Sequence, residues 1–113
     1  MNLSITCRKG DTCAFVATVT GGIDAGYTKA KFQARASFDD TLPLLLSADE
    51  TSGIAIDHGA GTVAVTLGAT KTNALTVTQP TQIAAQLRLT NWMDADDAFS
   101  WVIPFTLLPE LIA

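Results

Sequence analysis

The chain has few of the residues that drive charge-based or metal-based recognition. Its 113 residues include seven Lys plus Arg, none clustered, against eleven Asp plus Glu, for a formal net charge of -4. A chain without a basic patch has nothing to follow a phosphate backbone or an anionic surface, so we expect no nucleic acid and no membrane as partners. The apolar runs are also too short to span a bilayer, and no basic segment followed by an apolar one opens the chain. We therefore expect synthesis in the cytoplasm without a secretory signal.

Two cysteines, Cys7 and Cys13, and one histidine, His58, are the only cysteine and histidine side chains that could bind zinc. A closed zinc site needs four such ligands, so the sequence predicts no metal and no cofactor. Two cysteines are too few for a disulfide scaffold, and free thiols are the default for a protein made in a reducing compartment. The alternative is a bridge, which forms on oxidation if residues 3–8 and 13–19 pair as a hairpin.

Apolar and polar residues alternate with period two along most of the chain, which is typical of half-buried strands. The alternation is strongest in 29–36, 62–67, 82–90 and 99–107, and weaker in 3–8, 13–20, 44–47 and 53–57. Turn residues separate these segments at the spacing of a β-sandwich, and the stretch 69–75 fits one or two helical turns. The sequence therefore predicts one all-β domain over residues 1–113, built from two antiparallel sheets with seven or eight strands.

No arrangement of residues in the sequence indicates catalysis. His58 follows Asp57 in a glycine-rich turn, but no nucleophile motif accompanies the pair, so an exposed loop histidine is the favoured interpretation. Asp94, Asp96 and Asp97 offer oxygen ligands for calcium, although they lack any further ligand pattern and are more typical of a solvated turn. We predict no enzyme activity and no catalytic residue.

Several large apolar residues lie near the C-terminus, where residues 104–113 form an apolar segment interrupted by prolines. Pro104 has no ladder donor, which predicts an edge strand or a bulge there. Apolar residues of this kind are costly to leave in water, so we predict a protein interface. Its candidate residues are Trp101, Phe105, Leu107, Leu108, Leu111 and Ile112. Trp92 suggests the alternative of a carbohydrate-binding or host-adhesion module that stacks on sugars.

Four stretches carry a resemblance to a known family. They are Arg8-Lys9-Gly10-Asp11-Thr12; residues 22–28 leading into Lys31-Phe32-Gln33-Ala34-Arg35; Pro43-Leu44-Leu45-Leu46-Ser47; and residues 53–56 through 61–67. Their order resembles phage tail and baseplate accessory proteins with an immunoglobulin-like domain, similar to the N-terminal domain of baseplate upper proteins. The resemblance implies an immunoglobulin-like β-sandwich and a structural, non-enzymatic role in a virion tail. Its partners would be other tail or baseplate subunits and further copies of the chain.

Overall fold

A computed structural model describes residues 3–39 and 41–110, and within them the chain forms eight strands and one short helix. The strands are β1 Ile5–Arg8, β2 Cys13–Thr18, β3 Tyr27–Arg35, β4 Leu46–Asp49, β5 Ile54–Asp57, β6 Thr62–Leu67, β7 Thr81–Asn91 and β8 Asp94–Leu108, and the helix α1 is Ala69–Asn73. Every predicted strand is present, and the predicted helical turn lies at its expected place. Across the described ranges, no helix is long and apolar enough to cross a membrane.

The strands form two sheets that pack face to face. One has five strands in the order β1-β8-β7-β3-β4, and the other has three in the order β2-β6-β5. Strands β3, β4, β7 and β8 thus lie in one sheet, and strands β2, β5 and β6 lie in the sheet that faces it. This is the strand arrangement of a variable-type immunoglobulin domain, which confirms the predicted immunoglobulin-like β-sandwich. One pair departs from the antiparallel expectation, because β1 runs parallel to β8.

The core lies between the inner faces of the two sheets, as strand alternation requires. Its centre is Phe32, which is fully buried and has its ring 5.6 Å from that of Phe15 and 5.8 Å from that of Phe105. Val63, Val65 and Leu67, the alternating apolar residues of β6, face it and are fully buried. Three strands from two sheets therefore meet at one aromatic cluster.

Cys7 and Cys13 form a disulfide, and the expectation of free thiols is wrong. Their Cα atoms lie 5.7 Å apart, within the usual range for a bridge. The two residues do not pair in a hairpin, because β1 belongs to the five-stranded sheet and β2 to the three-stranded sheet. Both cysteines are buried, so the bridge joins the two sheets from inside.

The acidic stretch near residue 94 differs from the predicted turn. The connection between β7 and β8 is Trp92-Met93, and Asp94 already pairs with Asn91. The next paired residues are Thr90 and Ala98, so three residues of β8 oppose no residue of β7 and form an extended bulge. Aspartates favour irregular backbone, and here they occupy that bulge in place of the turn itself.

Pro104 introduces no bulge and does not confine the whole strand to an edge. It pairs with Ala84 in unbroken register, and β1 pairs with β8 from Phe105 to Leu108. The lower part of β8 is therefore interior to the sheet. The part before Pro104 has a neighbour on the β7 side alone among the described strands.

Candidate functional site

An open cleft of about 370 Å³ lies beside the loop that follows β2. One wall is the loop Thr18–Asp24, which follows β2, and the other wall is formed by Phe99 and Trp101 of β8. Tyr27 and Leu89 also line it. Phe99 and Trp101 stand on the inner face of their sheet, beyond the part that the smaller sheet covers, which is why a cleft remains between them and the loop.

Backbone contacts fix the loop wall. The Val19 amide donates to the Gly61 carbonyl at 2.9 Å, and the Gly22 amide donates to the Val19 carbonyl at 3.0 Å. Gly61 has φ 69°, and a Cβ on it would lie 3.1 Å from the Cα of Gly22. Glycine is required there both for the left-handed backbone and for this close approach between two loops. The cleft wall is therefore held in place by the turn that follows β5.

Tyr27, the only tyrosine of the chain, connects the cleft to the bulge of β8. Its hydroxyl donates to Asp97 Oδ1 at 2.6 Å, and Asn91 Nδ2 donates to Asp97 Oδ2 at 3.2 Å. This hydrogen bond to a carboxylate, followed by burial and by the charges of Asp97 and Asp24, raises the pKa of Tyr27 to about 12. The ring also packs against Phe99 at 5.4 Å between centroids. Asp97 is thus a structural acceptor that fixes the bulge.

His58 is half-buried, in contrast to the exposed loop histidine that the sequence predicts. Its Nε2 lies 2.9 Å from the Tyr27 carbonyl oxygen, which can only accept, so the ring nitrogen donates. The Asp57 carboxylate accepts instead from the Ala60 amide at 3.0 Å. The pair therefore stabilises the turn after β5 and its contact with β3.

The remaining aspartates of the bulge are also engaged locally. Asp94 Oδ1 accepts from the Asp96 amide at 3.0 Å, and both residues are exposed. In residues 3–39 and 41–110 no group of three or more His, Cys, Asp or Glu side chains could hold a metal ion. The arrangement around Tyr27 and Asp97 supplies hydrogen bonds and negative charge, without a nucleophile next to a base.

The hairpin of β7 and β8 exposes an unusual number of large apolar side chains. Trp92 is 59% exposed, Met93 76%, Phe99 53% and Val102 63%. They lie along one hairpin, with Trp92 and Met93 at its tip, Phe99 on the inner face of the sheet and Val102 on the outer face. Exposed apolar side chains gathered on one hairpin are typical of an interaction site.

The structure separates the residues that the sequence grouped as an interface. Phe105 and Leu107 are 1% and 2% exposed and belong to the core, because they face the smaller sheet. Trp101 and Leu108 are partly exposed, and Trp101 lines the cleft. Leu111 and Ile112 lie outside the described residues. Of the predicted set, Trp101 is the one that the structure places at the candidate site, and the interface role of the set stays a prediction.

Sequence reasoning missed Phe99, Val102 and Met93 as surface residues. Period-two alternation places Phe99 on the same side as Phe105, and it does not show that the opposite sheet ends before reaching Phe99. Met93 was overlooked because the sequence predicts the turn at Asp94–Asp97, whereas the connection between the strands is Trp92-Met93. The signal that was available is the polar Asp94–Asp97 stretch, which marks the outer end of the hairpin.

Trp92, on which the sugar-binding alternative depends, is exposed at the tip of the hairpin and does not line the cleft. Its neighbour Asn91 bonds through its side chain to Asp97 and to the Met93 amide at 2.9 Å. The sugar-binding alternative stays a prediction.

Comparison with known proteins gives structural similarities only. No family model matches the chain, and no curated protein matches it. The first immunoglobulin-like domain of human CD48 antigen is 11% identical, covers 98% of this chain and 85% of its own, and has a TM-score of 0.41. The natural killer cell receptor NKp44 is 12% identical over 97% of this chain and 99% of its own, with a TM-score of 0.49. The extracellular domain of the voltage-gated sodium channel β4 subunit is 12% identical over 96% and 92%, with a TM-score of 0.43. The assignment of an immunoglobulin-like fold rests on the strand order of the two sheets.

Proposed function

We propose that the chain is a non-enzymatic structural or assembly component of a phage or prophage tail that acts through protein–protein contacts in the virion. The observation that carries the proposal is the set of exposed apolar side chains on the β7–β8 hairpin, which are Trp92, Met93, Phe99 and Val102. The core of the domain does not include these side chains, so they can be removed from water only by contact with another subunit, which would favour binding. Burying one side chain of this size contributes about 1.5–3 kcal/mol.

Two further observations support the proposal. The order of the four sequence stretches resembles tail and baseplate accessory proteins, and the same stretches form the β1–β2 turn, β3, the start of β4, and the strands β5 and β6. The hydroxyl of Tyr27, which lines the cleft, is bonded to the carboxylate of Asp97. Both features favour a binding role over catalysis.

The test is co-expression with the subunits encoded by the neighbouring genes. We expect a tail or baseplate subunit to co-purify with the wild-type chain, and Phe99→Ser to reduce its recovery about ten-fold because an apolar contact at the interface is lost. Val16→Ser is the matched control, since Val16 is 55% exposed on the smaller sheet, away from the hairpin. Equal loss with both variants, or no tail subunit recovered, would contradict the proposal.

The adhesion alternative has its own readout. A glycan array probed with the wild-type chain should give no saturable signal if the chain is a structural subunit. A saturable signal that Trp92→Ala removes would replace the structural role by sugar recognition.

A further inference from the structure

The upper half of β8 has an unprotected edge. In the part of the chain that the structure describes, β1 covers the outer side of β8 from Phe105 to Leu108, and no strand pairs with residues 98–103 on that side. These six residues, Ala-Phe-Ser-Trp-Val-Ile, include no charge, proline or glycine. Proteins protect exposed edges with charged residues and proline, and here these occur at the two ends, as Asp97 and Pro104. Among the described residues, no strand occupies the edge between them.

The direction of the backbone groups follows from one hydrogen bond. The Lys9 amide donates to the Leu108 carbonyl at 2.9 Å, so the even-numbered residues of β8 face away from β7. The register with β7 is unbroken between Ala98 and Leu107. Ala98, Ser100 and Val102 therefore direct their N–H and C=O groups to the open edge. Pro104 has the same parity, which explains why its missing N–H leaves the β7 ladder intact.

The cleft adjoins this edge on the inner side of the sheet. A strand added beside residues 98–103 would direct alternate side chains inward, between Phe99 and Trp101 on one side and the loop Thr18–Asp24 on the other. The space of about 370 Å³ is enough for one or two apolar side chains. Main-chain bonds at the edge and pockets for alternate side chains are the two parts of strand addition.

The shape of this slot favours a flexible tail over a second copy of the domain. Two copies joined edge to edge must pair β8 antiparallel about a two-fold axis. With Ser100 at the axis, residues 94–96 of the second copy would lie opposite residues 104–106, where Ile5 and Thr6 of β1 already pair. With Ala98 at the axis, the bulge residues 95–97 would lie opposite residues 99–101 and interrupt the ladder. A short extended segment avoids this collision, because it can end or turn away where β1 begins.

Charge defines the tail further. Asp24 lines the cleft, and Asp94 and Asp96 are exposed at the upper end of the edge. No lysine or arginine lines the cleft. A basic residue near the end of an added strand would therefore be attracted to this end of the slot.

We propose that the edge Ala98–Ile103 accepts, as an added β-strand, an extended tail of another protein with alternating apolar residues and at least one lysine or arginine. This inference rests on the proposed function and names its mode of contact. The tail bonds to Ala98, Ser100 and Val102, its inward side chains enter the cleft, and its basic residue faces Asp94 and Asp96.

The experiment selects binders from a library of random 12-residue peptides displayed on the surface of a carrier and presented to the full chain. Enriched peptides should alternate apolar residues and contain lysine or arginine. Ser100→Pro removes one edge-facing N–H without touching the β7 ladder, and it should weaken binding about ten-fold or more. Ser100→Ala is the matched control: it loses only the side-chain bond from Arg88 Nε, at 3.2 Å, and should bind like the wild type.

Amide hydrogen exchange on the wild-type chain keeps the test decisive if Ser100→Pro does not fold. The amides of Ala98, Ser100 and Val102 should exchange fast in the free chain and slowly with peptide bound, whereas those of Phe99 and Trp101 should be slow in both states. The inference fails if no peptide is enriched, if peptides bind Ser100→Pro as tightly as the wild type, or if those three amides stay unprotected. It also fails if the chain forms a dimer that Ser100→Pro dissociates, because a second copy then fills the edge. Recovery of tail subunits by Ser100→Pro would leave the proposed function standing while the strand-addition mode is lost.

Discussion

The disulfide between Cys7 and Cys13 should stabilise the domain by a measurable amount, because it lowers the conformational entropy of the unfolded chain. The cysteines are six positions apart. Closing a loop of about seven residues removes about 8 cal/mol/K of chain entropy from the unfolded state, which corresponds to about 2.4 kcal/mol at 25 °C. The unfolding entropy of a 113-residue chain is about 240 cal/mol/K, so the loss of the bridge should lower the Tm by about 10 °C.

The assay is thermal unfolding followed by circular dichroism, with and without a phosphine reductant, on the wild type and on Cys7→Ala/Cys13→Ala. The reductant should lower the Tm of the wild type and leave that of the double variant unchanged. A thiol titration of the unfolded chain without reductant should find no free thiol. Two titratable thiols in the untreated chain, or a reduced wild type with an unchanged Tm, would refute the reasoning.

Three other predictions test the core and the cleft. Absorbance titration of the sole tyrosine should give a midpoint near 12 in the folded chain, and Asp97→Asn should move it toward the ordinary value of about 10. Since the folded pKa lies above the unfolded one, stability from this group is full below about pH 10 and falls as the pH rises toward 12; a folded midpoint near 10 would contradict the Tyr27–Asp97 bond. Phe105→Ala should lower the free energy of unfolding by about 3–5 kcal/mol and Phe99→Ala by about 1 kcal/mol or less, as measured by urea unfolding, and equal losses would contradict their placement in core and surface. His58→Ala should lower the free energy of unfolding by about 1 kcal/mol in the same assay, because the partly buried hydrogen bond to the Tyr27 carbonyl is lost. An unchanged free energy of unfolding would show that this contact with β3 contributes nothing.

The strands were predictable because apolar residues on the inner face alternate in the sequence with residues on the outer face. β6 was predicted at its observed bounds, since Val63, Val65 and Leu67 alternate with small or polar residues between two clear turn signals. What could not be predicted is how far each sheet extends over the other. Phe105 and Phe99 have the same parity in β8, and only the length of the opposing sheet decides that one is buried and the other exposed.

The disulfide shows the same limit in another form. A spacing of six residues fits a hairpin, an unpaired pair of thiols or a link between sheets, and nothing local distinguishes them. The parallel pairing of β1 with β8 decides the matter, because it places Cys7 in the sheet opposite Cys13. Such pairing joins residues about a hundred positions apart, beyond the reach of any pattern within one segment.

Pro104 connects the fold to the proposed contact. It faces outward at the last position before β1 pairs, and it has no N–H to offer a neighbour, so the ladder between β1 and β8 begins after it. The same residue that leaves the β7 ladder undisturbed thus sets the lower boundary of the open edge, while the bulge held by Tyr27 and Asp97 sets the upper one. The six residues between these boundaries include Phe99 and Trp101, which the smaller sheet leaves exposed and partly exposed, respectively. An edge limited at both ends and left apolar between them has the length and the chemistry of a site for one short strand.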